Sequence, residues 1–226
     1  MKRNVNVYTS REDKPEYLLK IFPDLFLSSD SLLDVGCDKK QLKKILLPKT
    51  SYAGIDITGM PDIIFDLDSG KSLPFEDKKF DLVFCSEVLE HLENIHFIFD
   101  ELCRVSNKYV LISLPNAMTG ISAYLRGNIY SDTLEKNKMF GKYIKFYGLP
   151  LDKPLDRHRW FFNTEEALEF VRYRAEKNDC KIEQILYSAD LSDIQPSISQ
   201  KILTWFNRKK LLNSFNHMTW FLIKKG

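Results

Sequence analysis

Acidic and small polar residues stand at the ends of four short apolar segments between residues 32 and 92. These segments end in Asp34-Val35-Gly36-Cys37, Asp56-Ile57, Asp66-Leu67 and Ser86-Glu87. In an open parallel sheet, ligands bind beyond the carboxyl ends of the strands, so side chains at successive strand ends converge on one crevice. A carboxylate in such a crevice can accept hydrogen bonds from two hydroxyl groups. The ordered series therefore predicts a nucleoside-binding site, which no one of these acids would predict alone.

The elements that would position these residues follow from the apolar pattern. Strands are predicted over residues 32–36, 52–57, 62–65, 81–86, 109–114, 181–187 and 217–223. Helices are predicted over residues 14–26, 41–47 and 95–105, and after Asn163, whose Asn-Thr-Glu-Glu sequence is typical of a capping box. Strands that alternate with helices favour an α/β fold, with a doubly wound parallel sheet.

The order and spacing of the segments resemble the class I S-adenosylmethionine-dependent methyltransferases, especially their small-molecule (type 11-like) branch. The resemblance covers residues 32–115 and is most specific in Leu73-Pro74-Phe75 and in the FDLVFCSEVLEHL run of residues 80–92. It implies a Rossmann-like fold with a seven-stranded, mostly parallel sheet, an antiparallel C-terminal strand and helices on both faces. It also implies S-adenosylmethionine as the cofactor. A Rossmann dehydrogenase matches less well, because Gly-x-Gly-x-x-Gly should follow the first strand.

The resemblance assigns a part of the cofactor to each strand end. The implied cofactor-binding residues are Asp34, Gly36, Cys37, Asp56, Ile57, Asp66, Leu67, Ser86 and Glu87. The loop after the first strand contacts the methionine moiety, Asp56 accepts hydrogen bonds from the ribose, and Asp66 binds the adenine amine. Glu87 lies beside the sulfonium, whose positive charge a carboxylate attracts.

The first loop departs from the family's Gly-Cys-Gly-x-Gly sequence. This chain has Gly-Cys-Asp-Lys-Lys at residues 36–40, so Asp38 and Lys40 replace two glycines. A non-glycine residue in the left-handed region costs about 1–2 kcal/mol, although Asp tolerates that region better than most residues. We expect either a rebuilt turn or weaker cofactor binding. The departure also leaves an alternative function open, namely a catalytically silent methyltransferase fold that serves as a scaffold.

Residues 117–162 are interpreted as a substrate-recognition insertion after the fifth strand, within a single domain of residues 1–226. The insertion holds nine aromatic residues, and its eight Lys and Arg outnumber its four Asp and Glu. Aromatic side chains could form a pocket wall, and guanidinium groups bind carboxylate or phosphate bidentately. The candidate acceptor-binding residues are Arg126, Tyr147, Arg157, Arg159 and Trp160.

Two histidines are candidates for a catalytic base, since imidazole titrates near neutral pH. His91 belongs to the EVLEHL segment, and His158 lies in an Asp-Arg-His-Arg-Trp sequence at the end of the insertion. No cluster of two Asp with Asn or His suggests a metal site, so we expect a metal-independent enzyme. The predicted reaction is methyl transfer to a small molecule, with a hydroxyl on a sugar, lipid-linked or other anionic metabolite as the acceptor.

Composition sets limits on the other classes of function. A net charge of +2 is too small to imply nucleic-acid binding. RNA methylation is therefore less favoured, although the Arg-Lys-Lys of residues 208–210 could contact phosphates. The four cysteines are scattered, which favours reduced thiols. No apolar run approaches the roughly 18 residues that span a bilayer. We expect a cytoplasmic protein whose partner is a small molecule.

Overall fold

A computed structural model describes residues 8, 10–118, 158–188 and 216–226. The strands are β1 (Ser31–Val35), β2 (Ser51–Asp56), β3 (Ile63–Ile64), β4 (Phe80–Ser86), β5 (Ser106–Pro115), β6 (Cys180–Tyr187) and β7 (Met218–Lys225). The α-helices are α1 (Lys14–Ile21), α2 (Pro23–Ser28), α3 (Ile95–Val105) and α4 (Thr164–Lys177), and short 3-10 helices cover Gln41–Ile45, Leu67–Ser69 and Leu89–His91. No helix within the described ranges is long and apolar enough to cross a membrane.

The seven strands form one sheet in the order β3-β2-β1-β4-β5-β7-β6. Strands β1 to β5 run parallel to one another, and β7 lies antiparallel between β5 and β6. The predicted fold class is confirmed, including the antiparallel C-terminal strand. The chain runs outward from β1 to β3 and then returns to β4 on the other side of β1. The carboxyl ends of β1 and β4 therefore mark the switch point at which open α/β sheets bind ligands.

Two hydrophobic cores cover the two faces of the sheet. Helices α3 and α4 pack on one face around Phe99 and Val171, and α1 and α2 pack on the other around Phe26 and Trp220. Every residue of β4 is buried, as expected for a central strand with helices on both sides. The continuous apolar runs that predicted β4 and β5 therefore reflect burial on both faces.

Three predicted elements differ from the structure. The helix predicted over residues 14–26 is two helices, because Phe22 leaves the helical region and Pro23, which lacks an N–H group, begins a new helix. The helix predicted over residues 41–47 is a 3-10 helix, and β3 has only two residues. The capping box at Asn163 is confirmed.

Part of the predicted organisation lies outside the described residues. This part includes most of the insertion and, within it, Arg126, Tyr147 and Arg157. The insertion as a recognition element and the single domain over residues 1–226 stay predictions.

Candidate functional site

The register of three neighbouring strands places three of the predicted site residues side by side. Val35 pairs with Ile55 of β2 and with Cys85 of β4. The residues that follow these three are Gly36, Asp56 and Ser86. They lie at the same level of the sheet, and adjacent strands are about 4.8 Å apart. The carboxyl ends of these three strands are therefore adjacent along one edge of the sheet.

Asp34 lies within β1, one residue before the end of the strand, and is buried below the strand ends rather than exposed in the crevice. Its side chain is buried, and the Tyr52 hydroxyl donates a 2.7 Å hydrogen bond to its carboxylate. Burial raises the pKa of Asp34 to about 7, because it disfavours the ionised form by more than the Tyr52 hydrogen bond and the Lys14 charge favour it. The carboxyl group of Asp34 therefore changes charge near neutral pH.

The loop after β1 keeps a glycine-like backbone without two of the family's glycines. Gly36 has φ +74°, and a Cβ there would lie 2.3 Å from a Val88 methyl group. Asp38 and Lys40 have φ values of 44° and 54°, so both occupy the left-handed region. Asp38 and Lys40 therefore adopt a backbone region that favours glycine, at two positions where the family sequence has glycine. Cys37 is buried in this loop, where burial raises the pKa of its thiol to about 12 and keeps it neutral.

Asp56 connects the loops that follow β1 and β2. One carboxylate oxygen accepts the Asp38 backbone N–H at 2.9 Å, and the other accepts the Thr58 N–H at 3.1 Å. A carboxylate offers about four lone-pair positions in all. Asp56 can therefore accept hydroxyl hydrogen bonds while it retains both backbone contacts.

The segment predicted to bind adenine begins with an exposed residue and continues into the core. Asp66 caps the 3-10 helix Leu67–Ser69, because its carboxylate accepts the Asp68 N–H at 2.9 Å. Leu67 is buried. Ile57, at the end of β2, is 61% exposed and offers apolar surface to a ligand.

The end of β4 carries an ion pair that sequence reasoning missed. The Lys14 ammonium lies 2.6 Å from the Glu87 carboxylate and donates a 3.1 Å hydrogen bond to Ser86 Oγ. The Tyr8 hydroxyl also donates to the Glu87 carboxylate, at 2.7 Å. Burial acts to raise the pKa of Glu87, but Lys14 and Tyr8 outweigh it, so the pKa is below its ordinary value. Glu87 is therefore ionised and already paired, whereas the sequence suggested an acid whose charge was available to the sulfonium.

Both predicted catalytic histidines lie beside Glu90. His91 Nε2 is 3.8 Å from Glu90 Oε1, and His158 Nε2 is 3.9 Å from the same oxygen. The two imidazole rings are nearly perpendicular, with centroids 4.4 Å apart. Glu90 and His158 are buried, while His91 is partly exposed. The buried Glu90, adjacent to His91 in sequence, is a site residue that sequence reasoning passed over.

Arg159 and Trp160 hold the His158 segment against the loop after β4. Their backbone N–H groups donate to the Glu90 carbonyl at 2.9 and 3.3 Å. The Arg159 guanidinium contacts the Glu93 carboxylate at 2.5 Å, and the Trp160 indole donates to the Leu92 carbonyl at 2.6 Å. Both side chains therefore position His158, and their binding of an acceptor stays a prediction.

The strand order and the crevice between β1 and β4 define the class I methyltransferase fold. A family model described as a methyltransferase domain matches residues 8–175. The chain belongs to this family, and it is an S-adenosylmethionine-dependent methyltransferase with S-adenosylmethionine as its cofactor. No curated protein matches the sequence.

Solved structures share the fold at low sequence identity. A methyltransferase from Archaeoglobus fulgidus is 20% identical with a TM-score of 0.53, over 96% of this chain and 95% of that one. Magnesium protoporphyrin IX methyltransferase from Synechocystis, with bound SAH, is 12% identical with a TM-score of 0.53, over 96% and 84%. The small RNA methyltransferase HEN1 is 14% identical with a TM-score of 0.56, over 100% of this chain and 26% of that one.

The raised pKa of Asp34 predicts a pH-dependent stability. The unfolded carboxyl group titrates near 3.8 and the folded one near 7. Stability contributed by the protonated group is therefore present below pH 4 and lost as the pH rises to 7. Asp34→Asn imitates the protonated form, so the variant should match the unchanged protein near pH 4 and exceed its stability by about 4 kcal/mol at pH 8.

Urea unfolding of both proteins at a series of pH values from 4 to 8 measures this difference. Titration of other groups is common to both proteins and cancels in the comparison. A stability difference that stays constant over this range would contradict the assignment.

Proposed function

We propose that this enzyme transfers the methyl group to a hydroxyl oxygen of a small anionic molecule. The observation that carries the proposal is the Glu90–His91–His158 cluster, which follows the end of β4 directly. Methyl transfer requires mainly that nucleophile and methyl carbon be aligned at about 3 Å and that water be excluded. A hydroxyl acceptor must in addition lose its proton. Two imidazoles beside the crevice, that of His158 buried and that of His91 partly exposed, suit that requirement.

We also propose how the crevice holds S-adenosylmethionine, which supplies a methyl group already activated by its sulfonium. Asp56 accepts the ribose hydroxyls, Ile57 and Leu67 lie along the adenine, and Asp66 receives the adenine amine. The loop of Asp34, Gly36 and Cys37 borders the methionine moiety, and Ser86 and Glu87 border the sulfonium. Three observations support the fit: Gly36, Asp56 and Ser86 lie at one level, Asp56 retains acceptor capacity, and Ile57 exposes apolar surface.

We infer an anionic acceptor because Lys and Arg outnumber Asp and Glu in the insertion, residues 117–162. Arg159 is already paired with Glu93, so we assign the anion to Arg126 and Arg157 and an aromatic contact with the acceptor to Tyr147. Trp160 remains 37% exposed, which allows its ring to contact an acceptor even though its N–H is engaged. The small net charge of +2 disfavours RNA as the acceptor.

Asp56→Ala tests the ribose assignment. The variant should bind S-adenosylmethionine more weakly by about 1.5–3 kcal/mol, because charge-assisted hydrogen bonds to the hydroxyls are lost. Isothermal titration calorimetry measures the change. Asp30→Ala is the matched control, since Asp30 is exposed and precedes the opposite, amino end of β1. Equal affinities of Asp56→Ala and the control would show that Asp56 does not bind the ribose.

Lys14→Met tests the charge at the end of β4. The variant leaves the Glu87 carboxylate without its cation, so the crevice should favour the cationic S-adenosylmethionine over its neutral demethylated product. The ratio of the two dissociation constants should shift by about 1 kcal/mol, or about fivefold. The ratio is informative because any general loss of affinity affects both ligands alike.

Lys20→Met, an exposed change on the same helix, is the control for this experiment. If Lys14→Met left the ratio of dissociation constants unchanged, Glu87 would not lie beside the sulfonium.

An acceptor screen with isotopically labelled S-adenosylmethionine tests the reaction. Sugar nucleotides, phenolic quinone precursors and hydroxylated acids would be compared with amine analogues and a short RNA. Label should appear on a hydroxyl oxygen, and His158→Gln should lower turnover by about 10²–10⁴-fold while cofactor affinity is kept. His96→Gln, outside the cluster, should leave turnover unchanged. Transfer to nitrogen or RNA, or an active His158→Gln variant, would contradict the proposal.

A further inference from the structure

We propose that Glu90, His91 and His158 bind a divalent transition-metal cation, which in turn holds the acceptor hydroxyl. Cation binding stands on the geometry of these three residues, and its use in methyl transfer rests on the function proposed above. The proposal replaces the sequence-based expectation of a metal-independent enzyme. The cluster has no local sequence pattern, because the fold brings His158 to Glu90 from 68 residues further along the chain.

The distances between the three side chains suit a metal site better than a hydrogen-bonded network. One ligand atom from each residue lies within 4.8 Å of the other two. The His91–Glu90 and His158–Glu90 separations of 3.8 and 3.9 Å are too long for hydrogen bonds. Around a cation with bonds of about 2.1 Å, neighbouring ligand atoms lie about 3.0–3.4 Å apart. The two separations between the histidines and Glu90 would therefore need to contract by less than about 1 Å.

The two chain segments that carry the ligands are fixed to each other independently of any cation. The backbone N–H groups of Arg159 and Trp160 donate to the Glu90 carbonyl. Arg159 Nε also donates to the His91 carbonyl at 2.8 Å. His158 directly precedes these anchors, so its ring is held beside Glu90 by short backbone contacts. A binding site organised in advance loses little entropy when it captures a ligand.

The charge of the cluster also favours a cation. The Glu90 side chain is 1% exposed, and charges attract one another more strongly in a buried site than in water. Imidazole nitrogens that are not protonated carry lone pairs that can bind a cation. A dication between them would match the carboxylate and use both histidines as ligands.

The donor set indicates which cation would bind. Two imidazoles and one carboxylate favour Mn²⁺, Fe²⁺, Co²⁺, Ni²⁺ or Zn²⁺ over Mg²⁺ and Ca²⁺, which prefer oxygen ligands throughout. Three protein ligands leave coordination positions for oxygen atoms of an acceptor. A cation lowers the pKa of a hydroxyl that coordinates it, so the proton can pass to solvent water. The acceptor oxygen then bonds to the methyl carbon as the carbon–sulfur bond breaks and its electron pair stays on sulfur. His91 and His158 act in this scheme as ligands rather than bases.

Titration of tag-free protein with Co²⁺, after removal of metals by a chelator, tests the cation site. Calorimetry and the visible absorption of bound Co²⁺ should both give one equivalent per chain. Glu90→Gln and His158→Gln should each weaken Co²⁺ binding at least about tenfold. Loss of a group that only contacts a metal ligand already costs about 10–100-fold in affinity, and loss of the ligand itself should cost no less. His96→Gln is the matched control, since His96 is exposed and contacts Trp160 through its ring without joining the cluster. Should Glu90→Gln fail to fold, His91→Gln replaces it.

The outcomes separate the cation site from the function proposed above. Absence of Co²⁺ binding at millimolar concentration, or equal losses in His96→Gln and His158→Gln, would overturn the cation site. Titration of the same proteins with the demethylated cofactor product gives an independent reading. If the protein binds Co²⁺ but not the product, the cofactor site is contradicted and the cation site stands. If it binds the product but not Co²⁺, the cation site is contradicted and the cofactor site stands. Retained affinity for the product in each variant also shows that its fold is intact.

Discussion

The parallel pairing of β1 with β2 and β4 is the constraint on which the site depends. Because Val35 is in register with both Ile55 and Cys85, the next residue of each strand emerges at the same height. A register slip of one residue would turn these side chains to the opposite face of the sheet. The slip is opposed by burial, since Leu82 and Phe84 pack on one face of β4 while Val83 and Cys85 pack on the other.

The loop after β1 shows how contacts elsewhere maintain a costly backbone conformation. Asp38 and Lys40 each occupy the left-handed region, at a cost of about 1–2 kcal/mol for an ordinary residue. Lys40 binds the Asp62 carboxylate at 2.6 Å, and Asp62 also accepts the Gly54 N–H at 2.8 Å. Although burial acts to raise the pKa of Asp62, these partners lower it below its usual value. Asp62 thus stabilises the loop above its unfolded pKa and loses that contribution in acid.

The sequence predicted most of the fold because its signals are local. Strands β4 and β5 are continuous apolar runs, and the Asn163 capping box fixes the start of α4 from four adjacent residues. The division of α1 from α2 was missed, although Pro23 is a local signal that interrupts the helical pattern. The cofactor crevice could be anticipated in the same way, because the carboxyl ends of parallel strands meet at one edge of the sheet.

Long-range pairings could not be predicted from the sequence. Lys14 reaches Glu87 only because α1 packs across the ends of the central strands, and no local pattern distinguishes this lysine from the exposed Lys20. His158 was a candidate on its own, but nothing in the sequence placed it against Glu90. That contact depends on the backbone hydrogen bonds of Arg159 and Trp160, residues whose side chains suggested substrate binding instead.

The loop after β4 carries two carboxylates, and their different partners divide the site into two halves. Glu87 receives a lysine ammonium and a tyrosine hydroxyl, so the fold itself balances its charge. Glu90, three residues later, is more deeply buried and has two imidazoles beside it, which carry charge only when protonated. Protonation of both would block the nitrogen atoms through which imidazole binds cations or protons. The half that contains Glu90 therefore offers a carboxylate and two imidazoles, the ligand types that transition-metal cations bind, and the half that contains Glu87 is already balanced before the cofactor binds.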